Sequence, residues 1–263
     1  MKKYQNILFY SLISILLFWI SYDVTQTYMK LRKEANSSLV NPPFHYESFA
    51  FITSDILEVG VDSGGHTELN EVVSISGSGL FIKSDDGSAY VLTVDHVCSY
   101  IEWFGAQELE EYDIDSLVSF MTITNFYGDK ALGVAYVNSY SSDLCVIKTV
   151  GDYDEVEIAN SLPELGEIIY YIGAPRSLFF PGMVPSFSGY LSGINYEKDD
   201  LYITAPAAQG ASGSIVVNSR GEIVGVIHSV TANFSDLTMA SGIKTINELL
   251  DQMEAKIKAE NQD

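Results

Sequence analysis

The chain has 263 residues, 47% of them hydrophobic, which is ample apolar material for a sizeable folded core. With 35 acidic side chains against 14 basic ones the net charge is −21, and such a chain repels the phosphates of nucleic acid, so that class of partner is excluded. Two cysteines and four histidines offer no Cys-x-x-Cys pair and no histidine-rich spacing, so neither a metal nor any other cofactor is expected.

Taken from the N-terminus, Tyr4 to Tyr22 runs 19 residues without a charge behind Lys2 and Lys3. That pattern is a membrane segment or a signal peptide. Trp19-Ile20-Ser21-Tyr22-Asp23 makes a poor cleavage site, which favours an uncleaved single-span anchor over residues 1–22 and makes the membrane a partner. If the segment is cleaved, the product is secreted. Lys30, Arg32 and Lys33 compete with the leading lysines in a positive-inside count, and the domain is expected outside the cytoplasm. Residues 23–44, with Asn36-Ser37-Ser38 and Pro42-Pro43, read as a tether. His45 and His66 lie in turn-like surroundings and read as exposed loop histidines.

Tyr90 to Cys98 is a β-branched apolar run that reads as a strand delivering His96, a candidate general base, to a site edge. In Ser142-Asp143-Leu144-Cys145-Val146-Ile147 one carboxylate stands at the start of an apolar strand, where a hydrogen bond to an imidazole would make its burial tolerable, so Asp143 is the candidate orienting acid. The acidic runs Glu108 to Asp115 and Asp152 to Glu157 read as solvated loops. Gln209-Gly210-Ala211-Ser212-Gly213-Ser214 lies between apolar strands and offers Ser212 as nucleophile. Strand, an Asn218-Ser219-Arg220-Gly221 turn and a second strand follow it. Thr245 to Met253 carries helical spacing.

In this order, with 47 positions from His96 to Asp143 and 69 from Asp143 to Ser212, the chain resembles the trypsin-like (chymotrypsin-fold) serine proteases. It resembles most the short HtrA-type and glutamyl endopeptidase-type bacterial and viral forms, over roughly residues 50 to 250. Gly77-Ser78-Gly79-Leu80-Phe81-Ile82 is similar to the strand before the histidine in that family, and Ser84-Asp85-Asp86-Gly87 supplies hairpin chemistry after it. Tyr171-Ile172-Gly173-Ala174-Pro175 and Phe187 to Ile194 are similar to elements of the second barrel. The resemblance implies an all-β fold of two six-stranded antiparallel barrels with a C-terminal helix, preceded here by one transmembrane helix. Barrel one is expected at about 45–150 and barrel two at about 165–245. The helix is expected at 245–258 within a protease domain at 45–254, followed by a tail at 259–263 and without a PDZ module.

By the same resemblance, the backbone N–H groups of Gly210 and Ser212 form the oxyanion hole. Ala211 stands where trypsin-like zymogens carry an Asp, so activation by an inserted N-terminus is not expected. The specificity pocket is expected among Pro206, Ala207, Ala208, Gln209, His228 and Ser229, whose lack of a carboxylate favours small or apolar side chains over Lys or Arg. His228 stands three positions after Gly225, where glutamyl endopeptidases place a substrate-binding histidine two after, and this one-residue shift reverses the face unless a bulge intervenes. Cys98 and Cys145 each lie two residues beyond a candidate triad member, and a disulfide and two buried thiols are equally compatible with that placement. The expected function is a membrane-tethered serine endopeptidase acting on polypeptides. The alternatives are an inactive protease-fold binding scaffold and a structural membrane protein with a β domain.

Overall fold

Alternation of side chains along an extended backbone produces the first strand. In β1 (Phe49–Val61), Ala50, Ile52, Ser54 and Ile56 point inward and are buried, while the residues between them stay half-exposed. β1 pairs with β2 (Thr67–Asp85), which turns at Gly87 (φ 77°) into β3 (Ser88–Thr93). With β4 (Leu117–Asn125), β5 (Lys130–Ser139) and β6 (Leu144–Val150), these strands close an antiparallel barrel in the order β1-β2-β3-β6-β5-β4. A second closed barrel follows, built from β7 (Ile168–Ile172), β8 (Ser186–Asn195), β9 (Asp200–Thr204), β10 (Ile215–Val217), β11 (Ile223–Thr231) and β12 (Phe234–Gly242). The computed structural model describes residues 44–261 apart from 62, 63, 65, 86, 110, 111, 113–115, 232 and 233. The expected anchor, residues 23–43 of the expected tether and the last two tail residues lie outside the described residues. Among the described residues no helix is long and apolar enough to cross a membrane.

Among the described residues three α-helices depart from the strands, two short and one of 18 residues. α1 (Asp95–Cys98) and α2 (Tyr100–Glu108) follow β3, and α3 (Ile243–Glu260) ends the fold. The expected strand over Tyr90 to Cys98 is therefore corrected: it stops at Thr93, and His96 rides on the single turn of α1. Local bonds carry that turn, with Ser99 N–H donating to the Asp95 carbonyl at 2.7 Å, and they override the β-branched preference of the run. The expected loop from Glu108 is also corrected at its start. Glu108 closes α2, which brings Tyr100 and Leu109 into a small core with Ile56 and Leu117.

α3 buries Ile243, Ile246, Leu249, Met253 and Ile257, spaced three and four apart so that they share one face. Four of them join a core that runs from Phe49, Leu92 and Ile147 of barrel one to Ile172, Ile215 and Val226 of barrel two, so the helix fastens both barrels. It begins at 243 rather than 245 because Asp199 caps it from a distance. The Asp199 carboxylate accepts from Thr245 N–H at 2.8 Å and its carbonyl accepts from Gly242 N–H at 2.7 Å. Tyr171, Leu191, Ile203, Val216, Val224 and Ile227 fill barrel two.

Candidate active site

Register brings the candidate base and acid together. β3 and β6 are antiparallel with Thr93 opposite Cys145, so the chain leaving β3 toward His96 passes the chain approaching β6 at Asp143. Asp143 ends a 3-10 turn (Tyr140–Ser142) in the left-handed region (φ 49°), which aims its carboxylate back at α1. One carboxylate oxygen accepts from His96 N–H at 2.9 Å, and the other lies 2.7 Å from His96 Nδ1. Two contacts fix both the position and the rotation of the carboxylate, and they engage Nδ1 of the ring rather than Nε2. Cys98 and Cys145 form a disulfide, which settles the choice between bridge and thiols and ties the two segments covalently.

Ser212 sits half-buried on the turn before β10, held against barrel one. Ser212 carbonyl accepts from Ser78 N–H at 2.8 Å. A Cβ on Gly77 would lie 2.7 Å from Val97 and 3.3 Å from the Ser212 carbonyl, so Gly77 separates the nucleophile turn from the neighbour of His96 by no more than a backbone's thickness. The Ser212 carbonyl and Val97, the neighbour of His96, thus flank Gly77 of barrel one.

The peptide before Ser212 has a defined orientation. Ala211 N–H donates to the Ala208 carbonyl at 2.9 Å, closing a four-residue turn whose third residue, Gly210, has φ 91°, the pattern of a type II turn. The Gln209 carbonyl accepts from Arg176 N–H at 2.5 Å. In a trans peptide the N–H points opposite to the C=O, so the Gly210 N–H is turned away from the Arg176 loop. Neither it nor the Ser212 N–H donates to a protein acceptor among the described residues. Ser78, fully buried, supports the turn: its hydroxyl donates to the Gly210 carbonyl at 2.9 Å and accepts from Ala174 N–H at 2.9 Å. In the sequence Ser78 reads only as part of a strand, because its partner lies 132 positions away.

The expected specificity residues are placed less uniformly. Pro206 and Gln209 are exposed, Ala207 is buried and Ala208 half-buried, and the Pro206 carbonyl accepts from the buried Tyr171 hydroxyl. That burial raises the Tyr171 hydroxyl well above its usual range. The bulge that His228 requires is present: pairing slips between Ile227 and Ser229, so His228 is the extra residue. Its Nε2 lies 3.5 Å from the Asp200 carboxylate. Burial holds the His228 imidazole below the usual histidine range, against the opposing pull of Asp200 and Asp143. A histidine facing Asp200 already has an acidic neighbour, which disfavours a second carboxylate from a substrate. His45 is exposed, as expected.

A family model for the trypsin-like peptidase domain matches residues 77–226, a span that contains His96, Asp143 and Ser212. HtrA-like serine proteases of Staphylococcus aureus strains MRSA252 and USA300 are each 29% identical over 208 residues, covering 71% of this chain. The chain spans 24% of the length of those relatives. Among solved structures, the serine endoprotease from Yersinia pestis shares the fold with a TM-score of 0.56 at 19% identity, over 79% of this chain and 62% of that one. Sequence match, barrel order and site geometry agree, and the chain belongs to the trypsin-like peptidase domain family.

Proposed function

We propose that this chain is a membrane-tethered serine endopeptidase that uses His96, Asp143 and Ser212 as its triad. The observation that carries the reading is the two-point grip of Asp143 on His96, beside a turn whose Gly210 and Ser212 N–H groups have no protein acceptor among the described residues. In the proposed reaction Ser212 Oγ bonds to the scissile carbonyl carbon while its proton passes to His96 Nε2. Asp143 holds the Nδ1–H and stabilises the imidazolium. The negative charge on the carbonyl oxygen is met by the Gly210 and Ser212 N–H groups. Collapse breaks the C–N bond, His96 returns the proton to the leaving amine, and water then releases the acyl group by the same steps in reverse. The uncharged Pro206, Ala207 and Ala208 suit small or apolar side chains before the cut.

The tether belongs to the same proposal. It rests on the apolar run from Tyr4 to Tyr22, and the Cys98–Cys145 disulfide fits a domain on the oxidising side of that membrane. The test is covalent labelling of the full chain in detergent by a fluorophosphonate probe, with Ser212→Ala and His96→Ala alongside. Labelling lost in both variants is expected. Absence of labelling in folded wild-type protein would instead favour an inactive binding scaffold. Wild-type protein that leaves membranes in a high-salt or carbonate wash would refute the tether.

A further inference from the structure

The residue before the candidate base is an aspartate that the proposed reaction does not use. Asp95 is 1% exposed, and among the described residues no cation pairs with it. Its carboxylate is satisfied by neutral donors: Ser99 Oγ at 3.0 Å and Asn138 Nδ2 at 3.0 Å on one oxygen, and Trp103 Nε1 at 2.9 Å on the other. A buried ionised carboxylate is costly unless hydrogen-bonded, and here the donors come from Ser99 between α1 and α2, from Trp103 on α2 and from Asn138 near the end of β5.

The donors lead back to the site. The Trp103 ring stands edge-on to His96, with centroids 6.1 Å apart at 71°, and packs on Tyr140 at 4.4 Å. Tyr140 opens the 3-10 turn that ends at Asp143, and its carbonyl accepts from Asp143 N–H at 3.4 Å. Asn138, near the end of β5, lies two residues before Tyr140. Asp95 is therefore joined by one peptide bond to His96, by one hydrogen bond to Asn138 in the segment that leads to Asp143, and through Trp103 to the ring of Tyr140 in that same segment.

We propose that Asp95 is a positioning residue, whose buried carboxylate locks Trp103 and Asn138 so that the Tyr140–Asp143 turn stays in register with His96. The inference rests on the proposed triad. Losing one partner of such a network leaves buried donors unmatched, so the turn loses its single arrangement and the labelling rate per folded molecule is expected to fall about tenfold. Asp95→Asn replaces one acceptor by an N–H₂ group that must face a donor, and Trp103→Phe keeps the ring but removes its N–H.

The experiment uses the full chain in detergent and follows two readouts in wild type, Asp95→Asn and Trp103→Phe: the fluorophosphonate labelling rate per folded molecule, and the downfield proton resonance of the His96 Nδ1–H···Asp143 bond. The expected result is slowed labelling and loss or broadening of that resonance in Asp95→Asn, with a smaller change in Trp103→Phe, at temperatures where both variants remain folded. A variant that melts earlier yet keeps both the wild-type resonance and the wild-type labelling rate would overturn the proposal and leave Asp95 a merely structural residue. If wild type is never labelled but the resonance still responds to Asp95→Asn, the peptidase reading fails while the positioning role stands.

Discussion

Gly210→Ala tests the proposed oxyanion turn with one added methyl group. At φ 91° an L-residue is disfavoured by about 1–2 kcal/mol, and the new Cβ would lie 2.5 Å from the Ala174 carbonyl and 3.2 Å from the amide nitrogens of Arg176 and Ser177. The contact is with backbone, which cannot swing aside as a flexible side chain would. The available relief is rotation of the Gln209–Gly210 peptide, which also breaks the Arg176 to Gln209 hydrogen bond, a further loss of about 1 kcal/mol. Together these predict a destabilisation of about 2–3 kcal/mol, or a melting temperature lower by roughly 4–12 °C for a domain of this size. Rotation removes the Gly210 N–H from the hole, so turnover of a chromogenic peptide falls by about 10²–10³ in kcat with KM little changed. A variant with kcat within about threefold of wild type and an unchanged melting temperature would refute the assigned orientation of this peptide.

The Cys98–Cys145 bridge closes a loop with a separation of 47 residues, and a chain-entropy estimate for such a loop is about 4 kcal/mol. Cys98→Ser with Cys145→Ser is therefore expected to lower the denaturant midpoint clearly, and mild reductant should do the same to wild type; equal midpoints with and without the bridge would contradict this. His228 gives a pH prediction whose sign follows from its burial. Its folded-state affinity for a proton lies below the unfolded value near 6.5, so the unfolded chain binds the extra proton first and stability falls as pH drops through about 6.5 toward the folded value. His228→Gln is expected to flatten that part of the stability–pH curve, and an unaltered slope would count against a buried neutral imidazole.

Local pattern carried much of the architecture. Glycine at the β2–β3 turn and the three-and-four spacing of Ile246, Leu249 and Met253 are properties of neighbouring residues, and they were legible because turn chemistry and helical spacing are short-range. The order His96, Asp143, Ser212 was likewise readable as a motif. Only the tertiary structure decided what those residues touch. The disulfide, the bulge at His228, the Asp199 cap on α3, the Ser78 support of Gly210 and the Asp95 network each join positions distant in the chain or alter a strand by a single residue. Propensity carries no record of such partners, because a buried polar group is satisfied by whichever donor the closed barrels bring to it.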